Sequence, residues 1–232
     1  MGMTGAVFVR PAQDQTPLNP GERYVYNDVD GTTAFDREYV LVLTDFWAEA
    51  HWDDAHIQLP DWTDFKPDYY LMNGRVFPDT IAPRGAGTDL STGDLIPTPG
   101  YEHLQYQPIS SLIQANAGER VLLRFINLSF GMQSMTLPGI KMKIVGKDAT
   151  LLRGRDGTDL TYETNTVFTG AGQSVDAIFT TPAVSSGVRK YLLYNRNYDR
   201  LSNAGGSGYG GQMTEIHVHP AGTLPPQTEP NT

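Results

Sequence analysis

From Tyr39 to Val218 the chain is a succession of short β-prone runs, most of them bounded by glycine, proline, asparagine or aspartate. No stretch sustains the apolar period of an amphipathic helix, so the architecture open to the chain is sheet packed on sheet. The most constraining run is Arg120–Leu128, RVLLRFINL, which follows the turn Ala117-Gly118-Glu119. Its branched and aromatic residues are those of a buried strand.

Other runs agree with it. Tyr39–Trp47 (YVLVLTDFW) is a second strong strand, and Lys141–Gly146 alternates polar and apolar side chains as a half-buried strand should. Tyr69–Pro78 predicts two short strands around Asn73-Gly74, a dipeptide suited to the positive φ angles of a tight hairpin. Ser111–Ala115, Tyr162–Phe168, Ser174–Phe179, Lys190–Tyr194 and Met213–Val218 complete the series. Residues 84–100 predict a long loop and Asp156-Gly157 a hairpin turn. The expected fold is all-β, a Greek-key β-sandwich.

Composition narrows the function. Hydrophobic residues make up 39% of the chain, enough for a folded core. A net charge of -9 repels phosphate backbones and argues against nucleic acid as a partner. No apolar run reaches the length of a membrane span, and no signal peptide is visible at the N-terminus. The absence of cysteine removes disulfides, thiolate metal sites and thiol nucleophiles together.

A faint repeat suggests how the chain is divided. Gly2–Pro11 (GMTGAVFVRP) and Gly211–Pro220 (GQMTEIHVHP) share length, an opening glycine, an alternating apolar body and a proline stop. Both have the design of the closing strand of a Greek-key domain. On this reading residues 1–11 close a preceding domain, 12–34 form a linker, 35–220 a complete domain, and the proline-bearing tail 221–232 is disordered.

Several of these segments resemble one family. Phe35–Phe46, FDREYVLVLTDF, resembles the opening strand of the second domain of three-domain multicopper oxidases. Pro67–Pro78, PDYYLMNGRVFP, is similar to the strand and Asn-Gly turn that follow, and Ala117–Leu128 to the central strand. Ser134–Asp148 and Tyr162–Phe179 continue the likeness over most of residues 35–220. The resemblance implies a laccase-like cupredoxin domain. In the family's copper-binding domains the stretch matching Met135–Ile140 is His-Leu-His-Gly-His in type. Here Thr136, Pro138 and Ile140 stand where imidazoles would be. Proline and isoleucine offer no lone pair, and a neutral threonine hydroxyl is a poor copper ligand. A type 1 copper site also needs a thiolate, and the trinuclear cluster uses more histidines than the 5 present. The resemblance therefore implies the central domain, which in the three-domain enzymes generally binds no copper and spaces two domains that do.

Other residues compete as sites. His217 and His219 project from the same face of one strand, opposite Ile216 and Val218. They are weak metal candidates, with an outward structural face preferred. His51 and His56 flank Asp53 and Asp54, an oxygen and imidazole set for a divalent ion, yet a solvated loop is the simpler account. His103 stands alone beside Glu102. Trp47, Trp52, Trp62, Phe65, Tyr69 and Tyr70 are a candidate platform for a sugar or phenol, although covering a sandwich edge or a domain contact is the preferred account. Gly205–Gly211 lacks the strand-to-helix setting of a phosphate loop.

The expected function is a structural spacer segment of a multicopper oxidase. Copper belongs to the parent enzyme and none to this chain, which carries no catalytic residue. Its partners are other cupredoxin domains or further copies of itself, and the parent is extracellular or periplasmic. Two alternatives stand beside this: a stand-alone β-sandwich binding module using the aromatic platform, and an assembly in which several chains pool His217 and His219 around copper. Gly2–Pro11 favours the first reading, because a leftover strand has no purpose in a complete module.

Overall fold

The computed structural model describes residues 4–84 and 100–232. In chain order the strands are β1 (Arg23–Tyr24), β2 (Ala34–Phe35), β3 (Arg37–Phe46), β4 (Tyr69–Met72), β5 (Ile113–Asn116), β6 (Arg120–Asn127) and β7 (Gln133–Thr136). They continue as β8 (Met142–Lys147), β9 (Thr150–Leu151), β10 (Tyr162–Thr164), β11 (Thr166–Thr169), β12 (Ser174–Thr180), β13 (Arg189–Asn195) and β14 (Met213–His219). One short helix, α1 (Ala48–Ala55), follows β3.

The larger sheet has the order β10-β8-β12-β6-β3-β4, with β9 on β8, and the smaller has the order β11-β7-β13-β14-β5. β3 runs parallel to β6, and β14 parallel to β5. Residues of both sheets share one core, in which Leu41, Leu123, Phe125, Met135, Leu193 and Ile216 are almost wholly buried. β6 lies mid-sheet. Its Leu122 belongs to a second cluster with Val25, Phe35, Val145 and Ile178, so both of its faces are covered, as its composition requires. No helix among the described residues is long and apolar enough to cross a membrane.

The structure departs from the sequence reading in several places. Residues 12–34, expected as a linker, are folded onto the outer face of the larger sheet. A 3-10 turn (Ala12–Gln15) and the β1–β2 hairpin carry Val25 and the Tyr26 ring there. The buried Asp28 carboxylate organises this turn by accepting from the backbone N of Thr33 at 2.6 Å and of Gly31 at 3.1 Å. The single run expected at Tyr162–Phe168 is two strands on different sheets, because the chain crosses the sandwich edge at Asn165. At Asn73-Gly74 the turn has positive φ at both residues, but beyond it the expected second strand is a single bridge, Met72 to Arg75. The Arg75 side chain turns inward instead and donates to the carbonyls of Gln107 at 2.8 Å and Ala82 at 2.8 Å. α1 was not evident from periodicity, since its eight residues bury only Ala50. Of the loop expected at 84–100, residues 85–99 lie outside the described residues.

The two terminal segments attach in different ways. Residues 4–11 form no ladder, and Val7 and Val9 are exposed. The segment attaches by side chains: Arg10 pairs with Glu38 at 2.7 Å, and the Phe8 ring lies against the guanidinium groups of Arg10 and Arg124. The tail 221–232 is not disordered. It runs along β3, with Gln227 and Asn231 buried against the strand.

Candidate functional site

The stretch 135–140 occupies the end of β7 and the turn after it. Thr136 pairs in register with Thr166 of β11 and Tyr194 of β13. Its hydroxyl donates to the Asn165 carbonyl at 3.1 Å and lies 3.0 Å from the Thr166 hydroxyl. Leu137 and Ile140 are buried in the main core, while Pro138 and Gly139 form an exposed turn.

His217 and His219 project from the outward face of β14, opposite the buried Ile216 and Val218, as alternation requires. They do not act together. His217 Nε2 bonds Glu215 at 2.6 Å, and Glu215 also accepts from Lys190 at 3.0 Å. Burial works to raise the Glu215 pKa, but the hydrogen bonds from His217 and Lys190 hold it below the ordinary carboxylate range. His219 has a buried Nε2 with no hydrogen-bond partner among the described residues. Burial, followed by the charges of His217 and Arg37, depresses its pKa. Among the described residues no group of three or more His, Asp or Glu side chains could hold an ion.

The remaining imidazoles are engaged separately. His51 stacks on Phe46 with ring centres 4.4 Å apart, and His56 stacks on Trp52 at 4.0 Å. His103 pairs with Asp79 at 2.9 Å. The aromatic candidates divide. Trp47 is buried and meets Trp62 and Phe65 edge-on, while Trp52 stands apart on α1 and Tyr70 lies beneath Arg200. Phe130, from the β6–β7 loop, completes the Trp62–Phe65 cluster at 5.3 and 5.0 Å and was not singled out from the sequence.

Sequence reading also missed a charged network on the outer face of the larger sheet. Glu38 of β3 accepts from Arg10 at 2.9 and 2.7 Å and from Arg124 of β6 at 2.5 Å. Arg124 also reaches Asp176 of β12 at 3.1 Å, and the Tyr26 hydroxyl donates to the same carboxylate at 2.5 Å. Burial opposes the Glu38 charge, but Arg10 and Arg124 hold its pKa below the ordinary value. Burial raises that of Asp176 despite Arg124. The available signal was a charge within or beside an apolar run in each of three strands: Glu38 before YVLVL, Arg124 in VLLRF and Asp176 in SVDAIF.

A family model described as multicopper oxidase matches residues 37–216. The chain belongs to the multicopper oxidase family. Among solved structures it is similar to the blue copper oxidase from Nitrosomonas europaea, at 17% identity and a TM-score of 0.51, over 78% of this chain and 43% of that one. It is also similar to the multicopper oxidase mgLAC, at 14% identity and a TM-score of 0.50, over 83% of this chain and 46% of that one. At these identities the likeness is one of fold, and the chain spans less than half the length of either structure. No curated protein sequence matched it.

Within this multicopper oxidase domain residues 135–140 do not fit the family's metal. The chain has no thiol, and Thr136, Pro138 and Ile140 offer a hydroxyl already engaged, a proline ring and a core isoleucine.

Proposed function

We propose that this domain is a copper-free spacer of a multicopper oxidase, which orients neighbouring cupredoxin domains and lends them wall surface. The observation that carries the reading is the condition of residues 135–140. The Thr136 hydroxyl is tied to Asn165 and Thr166, and Leu137 and Ile140 serve the core, so the stretch is given over to packing. The parent's reaction belongs to the same proposal: oxidation of a phenolic, metal-ion or similar substrate with reduction of oxygen to water. So does the reading of residues 1–11 as the closing strand of a preceding domain.

The test is reconstitution. The purified chain is incubated with copper, desalted, and assayed for bound metal, blue absorption and turnover of a laccase substrate. The expected result is copper far below one ion per chain, no blue band and no turnover. Stoichiometric copper retained by a single chain, or measurable oxidase activity, would reject the reading.

A further inference from the structure

The first half of β3 has a strand on one side only. β6 accompanies it from Arg37 to Leu43, whereas β4 pairs only from Leu43 onward. The peptide groups of Glu38, Val40 and Val42 that face away from β6 need other partners. Asn73 serves Val42, donating its backbone N to the Val42 carbonyl at 2.8 Å and accepting the Val42 N on Oδ1 at 2.8 Å.

Glu38 and Val40 are served by the C-terminal segment mainly through side-chain amides, with the Asn231 backbone N also donating to the Glu38 carbonyl at 3.1 Å and Asn73 Nδ2 to the Val40 carbonyl at 2.9 Å. Gln227 Oε1 accepts from Glu38 N at 2.6 Å, and its Nε2 donates to the Glu38 carbonyl at 3.1 Å. Asn231 repeats the arrangement on Val40, at 2.9 and 3.0 Å. Each amide reproduces the paired donor and acceptor of a neighbouring strand.

Three further positions of the segment are also held by named side chains. Asn116 accepts from Leu224 N at 2.8 Å and donates to its carbonyl at 3.0 Å. Arg37 donates to the Pro225 carbonyl at 2.6 Å, and Arg84 meets Glu229 at 2.9 Å. Pro225, Pro226 and Pro230 restrict the backbone in advance, which lowers the entropy lost on docking.

We propose that the Glu38–Val40 edge, with Arg37, Arg84 and Asn116 beside it, is a peptide-docking site for the sequence Leu224–Thr232. It is filled here by the chain's own segment and can be filled by the same segment of a second copy. The fit is selective. It asks for amides four residues apart, a carboxylate between them and a proline carbonyl upstream. A segment from a second copy makes the same contacts, so occupancy is decided by concentration. The attached segment wins while its effective concentration is in the millimolar range.

The test uses a labelled peptide of residues 222–232 and the full chain carrying Gln227→Ala and Asn231→Ala. The peptide should bind this variant saturably and return hydrogen-exchange protection to the Glu38 and Val40 amides. It should bind the unmodified chain about tenfold or more weakly, because that site is already filled. The isosteric pair Gln227→Glu and Asn231→Asp provides a second receptor should the alanine pair fold poorly. A peptide with both amides replaced by alanine that binds as well as the natural one would overturn the proposal. So would Glu38 and Val40 amides that exchange freely in the unmodified chain.

Discussion

Replacing Arg124 with methionine removes the cation at the centre of the outer-face network. Arg124 projects between two carboxylates whose side chains are 0% (Glu38) and 11% (Asp176) exposed. Methionine fills the space of the arginine stem, so the loss is mainly electrostatic. Glu38 keeps Arg10, while Asp176 keeps the Tyr26 hydroxyl. Removing one partner of a buried pair costs about 3–5 kcal/mol. At about 2–4 °C per kcal/mol for a chain of this length, Tm falls by roughly 6–20 °C. The penalty also depends on pH. The Asp176 pKa is raised by burial against the pull of Arg124, and it rises further once that pull is gone. A raised carboxylate contributes stability that is full below its unfolded pKa and lost as pH rises through the folded one. Glu38 behaves in the opposite sense. Its pKa is lowered, so its contribution is present above the unfolded value and lost as pH falls, and the variant has less of it to lose. The Asp176 effect makes the penalty smaller at pH 5 than at pH 7, and the Glu38 effect adds to it only at lower pH, below the ordinary carboxylate range. Urea unfolding followed by circular dichroism at the two pH values measures it. A cost of about 1 kcal/mol or less at pH 7, the level of a surface pair, or a cost that grows in acid, refutes the reasoning.

Two further changes probe neighbouring features. Gly146→Ala places a methyl group against the Tyr26 ring and hydroxyl, and should cost about 1–3 kcal/mol in urea unfolding; an unchanged midpoint would show that the 12–34 segment can move away freely. His217→Ala leaves Glu215 paired with Lys190, so stability should change by less than about 1 kcal/mol. Bound copper should not change either, and loss of stoichiometric copper in this variant would revive the pooled-histidine reading.

The sandwich was legible because strand signals are local. Arg120–Leu128 and Met213–Val218 carry their burial in their own alternation and composition, and the observed β6 and β14 match them closely. Asn73-Gly74 announced its turn through a backbone preference of two residues. The candidate sites were legible in part. His217 and His219 do share a face, but that His217 is taken by Glu215 and that the His219 Nε2 is buried with no hydrogen-bond partner among the described residues follows from neighbours alternation does not name. The tail was misjudged because its prolines resemble disorder, whereas its Gln227 and Asn231 amides meet a strand edge formed far away in the chain.

Taken alone, the amino-acid order settled the principal sheet-forming runs and the inventory of donor atoms, since both are sums over local residues: no thiol, few imidazoles, and a threonine, a proline and an isoleucine along one turn. Tertiary structure decided which charges meet, where the chain changes sheets at Asn165, and what closes the open side of β3. Glu38 and Arg124 lie 86 positions apart and Glu38 and Gln227 lie 189 apart. Partners at such separations leave no periodic mark on the chain, because they are selected by the geometry of the assembled sheets.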